Sequence, residues 1–213
     1  MDAGGKKEAR MKNILLIVTG CPGSGKTSFS SKLCAHYPAL SLVSYDAVKE
    51  EFFDRYGFRS AAEKEQLNRW SLQEFYARLD RRMDTGEALL IEYPFCRKHR
   101  ADLEALLLRH RYAAVTILLT GDMHVLYERG LRRDRSAARH PGHLLNAYRP
   151  GAAPEAAAPV PSMSYEQFVS FCKEKDYDIR LGHTLSVDVT SIQALDYGQI
   201  FSQLDRLLAD GSL

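Results

Sequence analysis

A chain of 213 residues is long enough for one domain with a substantial core. Its 45% hydrophobic and 26% charged residues are the mix of an ordinary soluble globular protein. The formal net charge of +2 is too small to argue for nucleic acid or an anionic membrane as partner, and no apolar run is long enough to span a bilayer.

Residues 1–12 are polar and read as a disordered lead-in to a domain over 13–213. The short apolar run Ile14 to Val18 leads straight into a glycine-rich loop, so Asn13–Thr19 reads as a buried strand and not as a signal-peptide core. A helix is expected over Lys26–His36, a strand over Leu40–Ser44, helices over Ala47–Tyr56 and Ala62–Asp84, and a strand over Ala88–Glu92. Beyond them come a helix at Lys98–His110, a strand at Ala114–Leu119, a helix at Met123–Arg133 and a strand at Thr184–Val189. In the last helix Tyr197, Ile200, Phe201, Leu204, Leu207 and Leu208 share one face, the pattern of a stripe that packs on a core. Strands alternating with helices argue for an α/β fold with a mainly parallel sheet.

Two segments break this rhythm. YERGLRRDRSAARHPGH gathers Arg129, Arg132, Arg133, Arg135 and Arg139 after the fourth strand. Asn146 to Met163, rich in alanine and proline, reads as a mobile loop that gives slack to what precedes it. The four cysteines have neither CxxC spacing nor a disulfide pattern, which fits reduced thiols in a cytoplasmic protein and argues against a zinc site.

The motif with the clearest chemistry is Gly20-Cys21-Pro22-Gly23-Ser24-Gly25-Lys26-Thr27, a complete GxxxxGK[ST] between a strand and a helix. Its glycines let consecutive N–H groups curl around phosphates, and the helix N-terminus, reaching to Ser28, adds positive potential. Lys26 is placed to reach the β- and γ-phosphates and Thr27 to ligate Mg²⁺. Cys21 is read as incidental to binding. The chain lacks the NKxD base-reading motif of signalling GTPases, and its third strand ends Glu92-Tyr93-Pro94 where a motor- or AAA-type ATPase would carry adjacent Asp-Glu. The arginine cluster favours a kinase, because arginines on a closing lid neutralise the transferring phosphoryl group and exclude water. As a solvated helix, the same arginines would pair with Glu128 and Asp134 instead.

With the phosphate loop, the Asp46 region, the strand ending at Glu92 and the YERGLRRDR stretch, the sequence resembles the P-loop small-molecule kinases. That group includes gluconate- and shikimate-type kinases, chloramphenicol phosphotransferase, polynucleotide 5′-kinases and zeta-type toxins. The resemblance implies a three-layer P-loop NTPase sandwich with a five-stranded parallel sheet in the order 2-3-1-4-5. It implies ATP and Mg²⁺ as cofactors, a small-molecule acceptor, and an arginine-rich lid running with its loop over about 127–163. Lys26, Arg132 and Arg133 would then act on the phosphoryl group, and Arg129 would stack on adenine.

On the acceptor side, Asp46 is a candidate for orienting or deprotonating the acceptor hydroxyl, with the N-cap of the next helix as its alternative role. Glu92, at a strand end where open sheets contact ligands, could hold a Mg²⁺-bound water or the acceptor, or serve only the strand edge. Arg55, Arg135 and Arg139 are further candidates for the acceptor, and His140 and His143 for phosphate in a closed lid. Arg55, Arg59, Tyr56, Trp70 and Tyr76 fall where related kinases build an acceptor pocket that suits an acidic or ring-bearing compound, although Trp70, Phe75 and Leu79 also take core spacing along their helix. Charge weakly disfavours a nucleic-acid acceptor, so a polynucleotide 5′-kinase or a nucleotide-sugar kinase of toxin type stands second. A non-catalytic nucleotide-binding regulator is the alternative from another class.

Overall fold

The computed structural model describes residues 11–151, 159–160 and 162–209. Five parallel strands, β1 (Ile14–Gly20), β2 (Ser41–Ser44), β3 (Leu89–Glu92), β4 (Ala113–Thr120) and β5 (His183–Asp188), form one sheet in the order β2-β3-β1-β4-β5, the order expected from the sequence. β1 lies at the centre and all seven of its residues are buried. Its period of two sends Leu15 and Ile17 to one face and Ile14, Leu16 and Val18 to the other, so an unbroken apolar run is what a strand covered on both faces requires.

Helices cover each face. On one side α1 (Lys26–His36), α7 (Tyr165–Lys175) and α8 (Tyr197–Ala209) bury Phe29, Leu33, Phe168, Ile200 and Leu204, together with Leu126 of α5 (Met123–Asp134). On the other, α2 (Tyr45–Tyr56), α3 (Ala61–Met83) and α4 (Arg100–His110) bury Val48, Phe75, Leu79, Leu103 and Leu107. Each fully buried Leu, Ile or Phe contributes about 1.5–3 kcal/mol, so these two clusters supply most of the driving force for the three-layer sandwich. A short helix, α6 (Pro141–Leu144), follows α5.

Three details differ from the sequence reading. Met11, counted there with the lead-in, is buried in the core, while residues 1–10 lie outside the described ones. Trp70, read by its spacing as a core residue, is 46% exposed on α3, edge-on to the exposed Tyr56. Helix α7 was not expected at all, although Ser164 and Gln167 form a reciprocal capping box at its start, a signal visible in SYEQ. Of the alanine- and proline-rich segment, 152–158 and 161 fall outside the described residues, but its beginning is tied down. Tyr148 pairs with Phe58 in an antiparallel bridge and Leu145 with Pro159.

Candidate nucleotide and acceptor site

Parallel strands bring their C-terminal ends to one edge of the sheet, and the loop between β1 and α1 lies there. Gly23 has φ +80°, and a Cβ on it would stand 2.0 Å from the Leu126 carbonyl oxygen, so only glycine lets α5 approach the loop this closely. No side chain caps α1, whose N-cap is Gly25, and its first-turn N–H groups are left for an anion. Cys21 and Pro22 are half-buried along the loop from Gly20, Ser24 is buried and bonded back to Cys21, and Thr27 and Ser28 are exposed on the first turn of α1. Lys26 Nζ folds back to donate to the carbonyls of Gly20 and Cys21, 3.0 Å each. Burial and the nearby charge of Arg133 pull its pKa down to about 8. The Cys21 thiol is lowered too, first by a hydrogen bond from Cys172 of α7 and also by Lys26.

Glu92 ends β3, in register with Ser44 of β2 and Val18 of β1, and is 6% exposed. Burial pushes its carboxyl up, offset in part by the neighbouring hydroxyls of Ser30 and Thr27. Its Oε2 is buried with no hydrogen-bond partner among the described residues. An orphaned carboxylate oxygen beside a P-loop threonine hydroxyl suits Mg²⁺, which takes one or two protein oxygens and fills its remaining positions with phosphate and water. Thr27 and Glu92 therefore fit the ion.

Asp46 lies two residues beyond the end of β2, in the first turn of α2. The cap of that helix is Ser44, whose Oγ accepts from Ala47 N, so Asp46 is free of the capping role weighed for it. Lys49 Nζ stands 2.7 Å from its Oδ1 and Arg139 3.8 Å from its Oδ2. Burial by itself would raise the Asp46 carboxyl, but Lys49, by its charge and its hydrogen bond, together with His143 and Arg139, outweighs it and holds the group well below the usual carboxylate range. Lys49 went unnoticed in the sequence, where its spacing of three from Asp46 along a helix was the available signal.

The arginine-rich segment divides. Arg129 donates to the carbonyls of Val189 and Thr190 at 2.6 and 2.8 Å, fixing its guanidinium beside the loop that follows β5. Arg133 is half-exposed, bonded to Asp134, and close enough to Lys26 to repel it. Arg132 and Arg135 are exposed at the end of α5, and only Arg139 reaches Asp46. Arg55 is exposed over the Tyr56 ring. His140 and His143, weighed for phosphate, instead bond Asp54 and Glu50 of α2 at 3.0 and 2.8 Å. Tyr148 also bonds Asp54, and Lys64 of α3 donates to the carbonyls of His143 and Leu145. Residues 139–148 are thereby held against α2 and α3. Lys64 had no readable motif; nothing near it in sequence belongs to the site.

Residues 15–152 match the AAA domain family. Among solved structures, a provisionally assigned kinase from Chloroflexus aurantiacus j-10-fl is 25% identical, with a TM-score of 0.74 over 92% of this chain and 98% of that one. A gluconokinase from Sinorhizobium meliloti 1021 (16% identity, TM-score 0.53, 92% of each chain) and a sugar kinase from Janibacter sp. HTCC2649 (14%, 0.52, 92% and 94%) share the fold. Among curated proteins, none matches the sequence. The ending of β3 had set AAA-type ATPases apart, yet the family whose model matches is described as an AAA domain. The chain belongs to the AAA domain family, and its fold is that of the P-loop small-molecule kinases.

Proposed function

We propose that this protein is an ATP-dependent kinase that transfers the γ-phosphoryl group to a hydroxyl of a small-molecule acceptor. The observation that carries the reading is the juxtaposition of two carboxylates with the phosphate loop. Ser44 and Glu92 end neighbouring strands side by side, Asp46 follows, and both carboxylates act on the charge of Lys26. A nucleotide switch or regulator uses one carboxylate beside the loop for Mg²⁺, the place Glu92 takes; a second one, Asp46, is what an acceptor hydroxyl calls for.

In this reading the loop N–H groups and Lys26 hold the phosphates, with Lys26 leaving its contacts to Gly20 and Cys21 for phosphate oxygens. Bound at Thr27 and Glu92, Mg²⁺ would neutralise phosphate charge and favour departure of the diphosphate. Arg133 adds positive charge on the phosphate side of the loop, with Arg132 available from the same turn of helix. Arg129, beside Val189 and Thr190, lines the adenine end. Asp46 accepts the hydrogen bond of the acceptor hydroxyl and aligns it for in-line attack. Held as a strongly ionised carboxylate, it is a weak base, which suits a loose transition state in which the proton leaves late. Of the expected lid over 127–163, the described residues 127–151 would close over the phosphates. No helix among the described residues is long and apolar enough to cross a membrane, and the four free thiols fit a reducing, cytoplasmic setting.

The test is a transfer screen with Mg·ATP against sugars, sugar acids, nucleosides, antibiotics, nucleotide sugars and 5′-hydroxyl oligonucleotides, read by mass spectrometry. A gain of one phosphate on one class, lost in Lys26→Ala, is the expected result. Tight ATP binding without transfer to any class would favour the regulator. Unchanged turnover in Asp46→Asn would remove Asp46 from the mechanism.

A further inference from the structure

We propose that Cys21 and Cys172 form a two-thiol oxidation site: a hydroperoxide converts Cys21 to a sulfenic acid, Cys172 closes it to a disulfide, and the phosphate loop binds ATP weakly until the bond is reduced. The two residues are far apart in sequence and adjacent in space. Cys172 lies on α7 within the core cluster on one face of the sheet, Cys21 follows β1 and packs against that cluster, and the two thiols share a hydrogen bond. The end of β1 meets the end of α7 a second time, where Thr19 Oγ1 stands 3.5 Å from the Tyr177 carbonyl oxygen. Cys172 is 6% exposed, whereas Cys21 is half-buried on the loop and open to a molecule of peroxide size.

The surroundings give the two sulfurs different roles. Cys172 donates to Cys21, and that bond together with burial pushes its own thiol up, so it keeps its proton. Cys21 is drawn down by the same bond and by the Lys26 ammonium, whose Nζ stands 3.0 Å from the Cys21 carbonyl oxygen. The Cys21 thiolate is therefore the nucleophile. It attacks one peroxide oxygen, an S–O bond forming as the O–O bond breaks and hydroxide leaves; the sulfur loses two electrons and the peroxide gains them. Cys172 then displaces the sulfenic hydroxyl, and its proton leaves with that hydroxyl as water. The first hydroxide takes up the proton that Cys21 released, so two thiols and one hydrogen peroxide give one disulfide and two waters. Cys96, buried against His99, and Cys34, its thiol raised by burial, take no part.

Closing the bond shortens the sulfur–sulfur separation from hydrogen-bond range to about 2.05 Å. Helix α7 is fixed by Phe168 in the core and by Tyr165 stacked on His124, so the loop is the side that yields. The Cys21 carbonyl accepts from both Lys26 and Ser24, and moving it shifts the lysine and the N–H cradle together. A displacement of about 1 Å in a site of this kind costs on the order of 10²-fold.

The experiment treats the full chain with hydrogen peroxide. One portion is digested with trypsin, which leaves the four cysteines on separate peptides, and another is titrated with Mg·ATP by calorimetry. The expected result is a covalent link between the peptides of Cys21 and Cys172, with ATP affinity lowered at least about tenfold and restored by dithiothreitol. By reciprocity, saturating Mg·ATP makes the disulfide easier to reduce by the same factor in a dithiothreitol redox buffer. In Cys172→Ala the link is absent and dimedone labels Cys21 as the stranded sulfenic acid. A link through Cys34 or Cys96, no link at all, or a Cys21–Cys172 bond that leaves ATP affinity unchanged overturns the proposal. A reduced protein that binds no ATP would fail the reading of the phosphate loop, and the linked peptides would then decide the thiol pair by themselves.

Discussion

The loop over 20–27 and the segment over 139–148 both come near the same carboxylate, Asp46, and unlike forces hold them. The loop is made of backbone: left-handed glycines, uncapped N–H groups, and one lysine bonded to its own carbonyls. The facing segment is made of side chains drawn from three elements: His140 and His143 on Asp54 and Glu50, Tyr148 on Asp54, and Lys64 reaching over from α3. A backbone cradle tolerates almost no substitution but accepts any nucleotide phosphate. A side-chain clasp can be rebuilt residue by residue, and it is there that an acceptor is chosen.

The comparison is broken most severely at Gly23. Gly23→Ala drives a Cβ to 2.0 Å from the Leu126 carbonyl and demands φ near +80° of a residue that resists it. ATP affinity, measured by titration calorimetry, is expected to fall by about 100-fold or more, the equivalent of some 3 kcal/mol of preorganised backbone. Asp46→Asn probes the far side of the same site. Turnover is expected to drop by about 10²–10⁴-fold with ATP affinity kept within a few-fold. An equal loss of ATP affinity in the two variants would mean that the nucleotide and acceptor halves are not separable.

A gentler blow falls on the clasp itself. Gly142 is buried where α6 meets α2, and a Cβ there would lie 2.5 Å from Phe53 Cδ2. Since the obstacle is the ring of a fully buried Phe53, Gly142→Ala should cost about 1–3 kcal/mol in chemical denaturation and lower kcat by about tenfold, leaving ATP affinity intact. Turnover unchanged at reduced stability would show that the contact of 139–148 with α2 is structural and not part of the catalytic cycle.

This contrast also explains what could be read from the sequence. The phosphate loop is local, eight consecutive residues whose spacing is their geometry; the alternating apolar runs were enough for the strands and helices around it, and the strand order came with the resemblance to the P-loop kinases. Asp46 was legible as the acidic residue after the second strand and Glu92 as a strand end. Their neighbours were not: Lys49 requires knowing that Asp46 lies inside a helix capped by Ser44, and Lys64 comes from another helix altogether. Arg139 could be singled out only as one of five arginines, because its distinction lies in burial and in the missing partner of its Nε. Trp70 was misjudged since helical spacing alone does not tell a core face from the outer face of α3, where Trp70 meets Tyr56 of α2.

The smallest effect, and the one that isolates the loop from the clasp, is a proton. In the free protein burial and Arg133 bring Lys26 from its ordinary 10.5 down to about 8. Phosphate oxygens favour the charged amine, so ATP binding must raise that value again. The sign follows: protons are taken up on binding from about pH 8 upward, and affinity declines as pH rises through that range. Between pH 8 and 9 the protonated fraction of free Lys26 drops about fivefold, and affinity should fall with it, with an uptake near pH 8 of about half a proton per ATP. Folding of the free protein runs the other way. The unfolded chain keeps the Lys26 proton up to its ordinary 10.5, so the stability contributed by this group rises with pH from about 8 to 10.5. Calorimetry in buffers of different ionisation enthalpy measures the uptake directly. Cys21 titrates beside Lys26 and would confuse the reading, so the measurement is made in Cys21→Ser as well. Uptake that persists there, disappears in Lys26→Met and is unmoved by Arg139→Gln would assign the proton to the loop; uptake that follows Arg139 would mean that loop and clasp titrate as one electrostatic unit.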